Sequence, residues 1–285
     1  TEIEVNYAAH QSQVRYEENP IRRFKRFYDT LQTLYRELEM CRRVDRVVCV
    51  TDVDRDFLKG YLAPEKLVVV NTGVDTQYFK PGYHRRIEPN SIAFVGAFRH
   101  QPNIDAMTYF CSEVFPLILD QIPSARLYIV GSSPPDVILR LARHPQIDVT
   151  GFVPDIRDYY RKAQVVVVPV RTGVGIRGKI LEGWAAGKAM VATPVACLGI
   201  RAVHGENIMI GDSPRDLATW TVALLRSPDF CLKLAKAGRL TAERYYDWSQ
   251  LGKQLVATYE SLAGFRNPEP IEEETSPPVL SEPRT

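Results

Sequence analysis

The sequence predicts an α/β fold in which helices cover a mainly parallel sheet, and three observations carry that expectation. From about residue 91 to residue 245, short β-branched runs alternate with stretches of helical period. Glycine follows several of these runs directly, as a tight strand-to-helix turn requires. The chain has 285 residues, 45% of them hydrophobic and 25% charged, enough for one large domain or two ordinary ones. Strands alternating with helices of this length are β-α-β units, so the crossovers should be right-handed.

Taken in order, the first strong signal is a helix over residues 21–41. Phe24, Phe27, Tyr28, Leu31, Leu34, Leu38 and Cys41 recur there at three- and four-residue steps, after Pro20. Its other face carries Arg22, Arg23, Lys25 and Arg26, read either as a solvated face or as a contact for phospholipid or an acidic partner. Residues 46–51 and 66–71 are β-branched runs suited to buried strands, with a short helix at 54–61 between them. Glycine and proline then cluster at Gly73, Pro81 and Gly82, which reads as a linker. Beyond it the strand candidates are 91–95, 125–130, 147–150, 164–169, 189–192 and 207–210. The helix candidates are 103–121, 135–143, 156–163, 178–186, 214–226 and 228–246. This part is expected to be a Rossmann-like domain with six parallel strands. The stretch 267–285 is rich in proline, with glutamates at Glu269, Glu272, Glu273, Glu274 and Glu282, and is expected to be a disordered tail.

Composition excludes several classes. Lys and Arg number 36 against 34 Asp and Glu, a net charge of +2, so no overall field argues for a nucleic-acid partner. The longest apolar run, residues 165–170, falls far short of the ~18–20 residues that cross a bilayer. Cys41, Cys49, Cys111, Cys197 and Cys231 are scattered and show no Cys-x-x-Cys spacing, which argues against a disulfide scaffold or zinc site and for a cytoplasmic setting. The chain opens Thr-Glu-Ile-Glu without leader or initiator methionine, as an excised piece would.

In an open parallel sheet, ligands sit beyond the carboxyl ends of the strands, where backbone N–H groups and helix N-termini favour anions. Four loops are therefore of interest: Gly96 to Asn103, carrying Arg99 and His100; Gly131-Ser132-Ser133; Gly151-Phe152-Val153-Pro154; and Arg171 to Lys179. The last has Gly173, Gly175 and Gly178 interleaved with Arg171, Arg177 and Lys179, and Glu182 follows on a helix. Glycines let the backbone approach a diphosphate and cations neutralise it. Plainer readings stand beside these: a tight turn for the glycines, a solvent-facing Glu182, a helix-capping Arg99, a loop His100. Asp52 and Asp54 form an Asp-x-Asp pair of the kind that holds a metal, but they lie after an early strand, away from these loops.

Over nearly all of its length before the expected tail, the sequence resembles the retaining glycosyltransferases of the GT-B fold, the large family that includes sucrose synthases and glycogen synthases. The resemblance runs in order through VVVNTGVDTQYFKP, IAFVGAF, LYIVG, VTGFVPDIRDYYRKAQVVVVP and GKILEGWAAGKAMVATPVACLGI. FRHQPNIDAM and GVGIRGKILE are most similar to a branch of sugar transferases found with exopolysaccharide clusters. The resemblance implies that Glu182 accepts hydrogen bonds from the nucleotide ribose. The family's first glutamate, eight positions earlier, is Val174 here, so the sugar contact would fall to the backbone of Gly173, Val174, Gly175 and Ile176 or to another side chain. The positions where the family carries two phosphate-binding cations are Ala97 and Pro102 here, so their charge would come instead from Arg99 and from Arg177 or Lys179. Lys179, three residues before Glu182 on one helix face, is the first choice and Arg99 the second. Gly96 forms the first glycine turn, and Phe152 and Val153 lie in the segment whose backbone reads the nucleobase edge.

The implied organisation is an acceptor-side remnant over residues 1–71, a linker at 72–90, a nucleotide-sugar-binding domain at 91–245, a C-terminal helix at 246–266 and the tail at 267–285. The earlier strands of the acceptor domain would lie before residue 1. The implied activity is hexosyl transfer from a UDP- or GDP-linked sugar to a saccharide or lipid-linked acceptor in polysaccharide or glycoconjugate biosynthesis. It would need no metal, and would take place in the cytoplasm or at the inner face of the membrane. A non-catalytic nucleotide-sugar-binding or scaffolding relative and a nucleotide-sugar epimerase are the alternatives.

Overall fold

The computed structural model describes residues 2–3, 19–82, 87–173 and 175–263. The expected tail at 267–285, the middle of the linker at 83–86 and Val174 lie outside the described residues, as do nearly all of residues 1–18.

Strands β1 (Glu2–Ile3), β2 (Val47–Cys49) and β3 (Leu67–Val69) form a three-stranded parallel sheet in that order. Helix α1 (Pro20–Arg43) precedes β2, and α2 (Asp52–Leu58) links β2 to β3. Asn19 caps α1, its side chain accepting from the N–H groups of Ile21 and Arg22. The second half of α1 packs Leu38 and Cys41 against Val47, Cys49, Leu58 and Leu67. The two aspartates of the Asp-x-Asp pair serve the start of α2: Asp54 accepts from the Thr51 hydroxyl at 2.6 Å, and Asp52 pairs with Arg55 at 2.6 Å. Their short spacing therefore reflects helix capping.

The second sheet has six parallel strands: β4 (Ser91–Val95), β5 (Arg126–Val130), β6 (Ile147–Gly151), β7 (Val165–Val168), β8 (Ala189–Ala192) and β9 (Met209–Ile210). Their spatial order is β6-β5-β4-β7-β8-β9, so the strand order reverses between β4 and β7. Both faces are covered, which is why β4 and β7 read as unbroken apolar runs. The covering helices are α3 (Gln101–Tyr109), α4 (Phe115–Leu119), α5 (Asp136–Leu139), α6 (Arg157–Lys162), α7 (Gly178–Ala185), α8 (Pro214–Arg226), α9 (Pro228–Tyr245) and α10 (Trp248–Ala263). The expected single helix at 103–121 is broken by a π-helical turn at Phe110–Val114, just before Pro116, whose ring has no N–H to continue the ladder. The expected 135–143 helix is α5 followed by a 3-10 turn.

Close approaches fix α7, the helix that carries Glu182. A Cβ on Gly238 of α9 would stand 2.4 Å from Trp184, and one on Gly183 would stand 2.6 Å from Met190 Sδ. Trp184 is fully buried and donates to the Asn207 carbonyl at 2.8 Å. Arg239 of α9 reaches the carbonyls of Thr76 and Phe79 at 2.9 Å, and that of Ala185 as well, tying linker, α7 and α9 together. Helix α10 returns to the first sheet, where Leu251 packs with Val48 and Val70.

Candidate donor-binding site

The loops at the carboxyl ends of β4, β5 and β6 are laced by backbone hydrogen bonds. Gly96 donates to Val130, Phe98 to Ser132 at 2.9 Å, and Gly131 to Gly151 at 3.2 Å. A Cβ on Gly131 would stand 2.0 Å from the Gly96 carbonyl oxygen, so the two turns press together at a distance that only glycine permits. At the end of β6, Val149 pairs with Ile129 and Gly151 with Val130, so Thr150 drops out of register. Gly151 takes φ +68° there and turns Phe152 outward, 77% exposed.

These loops and the first turns of α7 enclose a cavity of about 400 Å³. Its lining includes Gly96, Ala97, His100, Asn103, Gly131, Ser132, Phe152, Val153, Lys179 and Glu182. It sits beside the reversal of strand order, where a parallel sheet leaves its crevice. Lys179 reaches across from α7 into the turn after β4. Its ammonium donates to Asn103 Oδ1 at 2.6 Å, lies 4.3 Å from the centre of the Phe94 ring, and would be 2.5 Å from a Cβ on Gly96. Asn103 is itself fixed by donating to the Ala97 carbonyl at 2.7 Å. Burial, reinforced by the neighbouring Arg177 and partly offset by Glu182, pulls the Lys179 ammonium down to about 7.

Glu182 stands one turn further along α7. Its Oε2 accepts a 3.0 Å hydrogen bond from the hydroxyl of Tyr160 on α6, and its Oε1 takes no hydrogen bond from any described residue. Burial raises the Glu182 carboxyl above its ordinary range, while the Tyr160 bond and the Lys179 charge oppose that rise.

Of the residues singled out in the sequence, Gly96, Phe152, Val153, Lys179 and Glu182 line this cavity together. Arg99 does not: it is exposed, and its Nε donates to His100 Nε2 at 3.1 Å, so the cavity receives the neighbouring histidine. Arg177 also stays outside the lining, with Nη2 donating to the Thr172 carbonyl at 3.1 Å across Gly173. Gly173 and Gly175 adopt φ +97° and +82° in the same loop, and Ile176 packs against the core. Val174 lies outside the described residues. Arg171 grips Asp105 through two hydrogen bonds of 2.6 and 3.1 Å and lies over the Tyr109 ring. Asn103 and Ser132 lie in two of the loops of interest but were given no role there, and Tyr160, on α6, was not singled out. Among the described residues, no three His, Cys, Asp or Glu side chains gather to hold a metal ion.

Residues 89–227 match the family model described as glycosyl transferases group 1. Among curated proteins, a D-inositol 3-phosphate glycosyltransferase of Segniliparus rotundus is 26% identical over 82% of this chain and 56% of its own. A phosphatidyl-myo-inositol mannosyltransferase of Mycobacterium tuberculosis is also 26% identical, over 76% of this chain and 60% of its own. The chain thus spans somewhat over half the length of these relatives. Among solved structures, sucrose-phosphate synthase from Thermosynechococcus elongatus superposes with a TM-score of 0.67 at 19% identity, covering 88% of this chain and 65% of that one. Anabaena HepE, solved in complex with UDP and glucose, gives 0.66 at 15% identity, covering 81% and 67%. With two parallel sheets of this form the chain has the GT-B fold, and its residues 89–227, which span the cavity, are similar to the group 1 glycosyltransferases.

Proposed function

We propose that the cavity beyond β4, β5 and β6 binds a nucleotide sugar, and that the chain is the donor-binding part of a retaining glycosyltransferase. The observation that carries this reading is that Lys179 and Glu182, one turn apart on α7, line the same glycine-lined crevice. A diphosphate needs positive charge where water is excluded, and the N-terminus of α7 offers only about half a charge. Lys179 adds an ammonium at the Gly96 turn, the place left uncharged by Ala97 and Pro102. Glu182 offers a carboxylate oxygen to the ribose hydroxyls, and the exposed Phe152 stands at the rim for the base. As the sugar leaves, the charge that grows on the diphosphate is met by the same ammonium and helix terminus.

The acceptors named for the curated relatives, inositol phosphate and phosphatidyl-myo-inositol, support a polyol, saccharide or lipid-linked acceptor, with a hexosyl group as cargo. The FRHQPNIDAM segment favours a role in exopolysaccharide assembly. The positive charge supplied by Lys179 supports transfer without a metal, and EDTA should leave turnover unchanged. A cytoplasmic site of action fits five unpaired cysteines, and no helix among the described residues is long and apolar enough to cross a membrane.

The test is release of nucleoside diphosphate from UDP- and GDP-sugars by the full chain, with or without acceptor. Release that is lost in Glu182→Ala supports the reading. Tight binding without release would favour the non-catalytic relative, in keeping with the valine at position 174. Conversion of one nucleotide sugar into its epimer would favour the third alternative.

Peripheral membrane contact belongs to the same proposal. Ile21, Phe24, Phe27, Tyr28, Leu31 and Tyr35 form an exposed stripe on α1, flanked by Arg22, Arg23, Lys25 and Arg26. An apolar stripe edged by cations suits an anionic bilayer surface. The chain should float with vesicles containing phosphatidylglycerol and remain behind with pure phosphatidylcholine. Equal behaviour with both would remove this part of the proposal.

A further inference from the structure

A carboxylate that serves as a ribose acceptor has to remain ionised and aimed, and burial works against both at Glu182. Tyr160 supplies what is needed. Its side chain is fully buried, and its ring meets that of Phe79 edge-on at 6.2 Å. Two acceptors lie near its hydroxyl, Glu182 Oε2 at 3.0 Å and the Lys179 carbonyl at 3.4 Å. A phenol has one proton, and the shorter contact is to the charged acceptor. We propose that Tyr160 is a positioning residue for the donor site: its hydroxyl holds Glu182 Oε2, leaving Oε1 turned to the cavity for the ribose.

The groups around Glu182 are consistent with this. From α7 itself comes Lys179, from α6 comes Tyr160, and from the loop after β4 comes His100 across the cavity; Arg177 acts on Lys179. Lys179 is engaged with Asn103. Among the described residues, Tyr160 is therefore the direct hydrogen-bond donor to the carboxylate. Burial and the neighbouring Glu182 push the Tyr160 phenol well above its ordinary range, so it remains a donor across neutral pH.

The inference rests on the donor reading, and the test separates the two. UDP affinity is measured by calorimetry from pH 6 to 8 on the full chain, on Tyr160→Phe, on Glu182→Gln and on the double variant, with thermal unfolding as the check on folding. Tyr160→Phe should weaken UDP binding by about 5- to 30-fold at neutral pH. Its deficit relative to wild type should widen as pH falls, because the unsupported carboxylate takes up a proton earlier. In the Glu182→Gln background the same change should cost little more. A deficit that is flat with pH and adds to that of Glu182→Gln would mean that Tyr160 only supports packing. If Glu182→Gln itself leaves UDP binding unchanged, the ribose assignment fails; if it weakens binding while Tyr160→Phe does not, only the positioning role fails. Should Tyr160→Phe not fold, the wild-type chain still answers: the Tyr160 hydroxyl proton should exchange slowly in NMR spectra and shift on addition of UDP, and its absence would overturn the assignment.

Discussion

Lys179 offers the sharpest quantitative expectation. Its ammonium is pulled down to about 7 by burial and by Arg177, so near neutral pH only about half of the free molecules carry the charge that a diphosphate needs. The charged share should be about three quarters at pH 6.5 and about 3% at pH 8.5 for a group titrating near 7. The terminal phosphate of a diphosphate, titrating near ~6, is ionised over most of that range and cannot supply the trend. If the bound diphosphate restores an ordinary lysine, binding takes up a proton, and affinity should fall about 25-fold from pH 6.5 to 8.5, or ~1.9 kcal/mol. The assay is calorimetry with UDP and with uridine across that range, in two buffers of different ionisation enthalpy to count protons. Lys179→Met should lose the slope for UDP and should scarcely affect uridine, which carries no phosphate. A flat wild-type profile, or the same slope in the variant, would refute the assignment of the diphosphate to Lys179. The same shift has a stability consequence of defined sign. With the folded group near 7 and the unfolded group at its usual 10.5, the unfolded chain holds more protons between those values, so the unliganded protein should gain stability as pH rises from 7 to 10.

Other expectations follow from geometry alone. Gly131→Ala would drive a Cβ to 2.0 Å from a backbone oxygen, so it should cost about 3 kcal/mol or more in urea unfolding and open the site. Arg239→Met leaves the carbonyls of Thr76, Phe79 and Ala185 without their shared donor and should cost about 2–3 kcal/mol, with weaker UDP binding because α7 loosens. Phe152→Ala, at an exposed rim position, should leave the unfolding midpoint unchanged while weakening UDP and uridine alike; an unaltered uridine affinity would remove Phe152 from base contact.

The parts of the fold that were legible in the sequence are those written in local chemistry. β4, β8 and α8 fall where the apolar runs and the helical period put them, because unbroken burial and an amphipathic face leave residue-level marks. The π turn at Phe110–Val114 is less legible, since Pro116 signals a break but not its form. The glycines at 96, 131 and 151 were readable as turns that converge at one edge. Spacing already favours Lys179, three residues before Glu182 and so on the same helix face, over Arg99. What could not be read were the partners that fix the two cations, Asn103, which accepts from Lys179, and His100, which accepts from Arg99. Tyr160 left no signal because its partner lies 22 residues away on another helix, and a tyrosine within Asp-Tyr-Tyr-Arg reads only as core.

The account turns on Glu182 facing a nucleoside diphosphate. Calorimetric titration of the full chain with UDP, repeated on folded Glu182→Ala, tests it most directly. Saturable one-to-one binding is expected, weakened roughly 10- to 100-fold by the substitution through loss of a charge-assisted acceptor. Because the lost partner is the ribose, uridine should weaken in parallel. The same affinity in both proteins, for both ligands, would contradict the account and leave Glu182 only a packing partner of Tyr160.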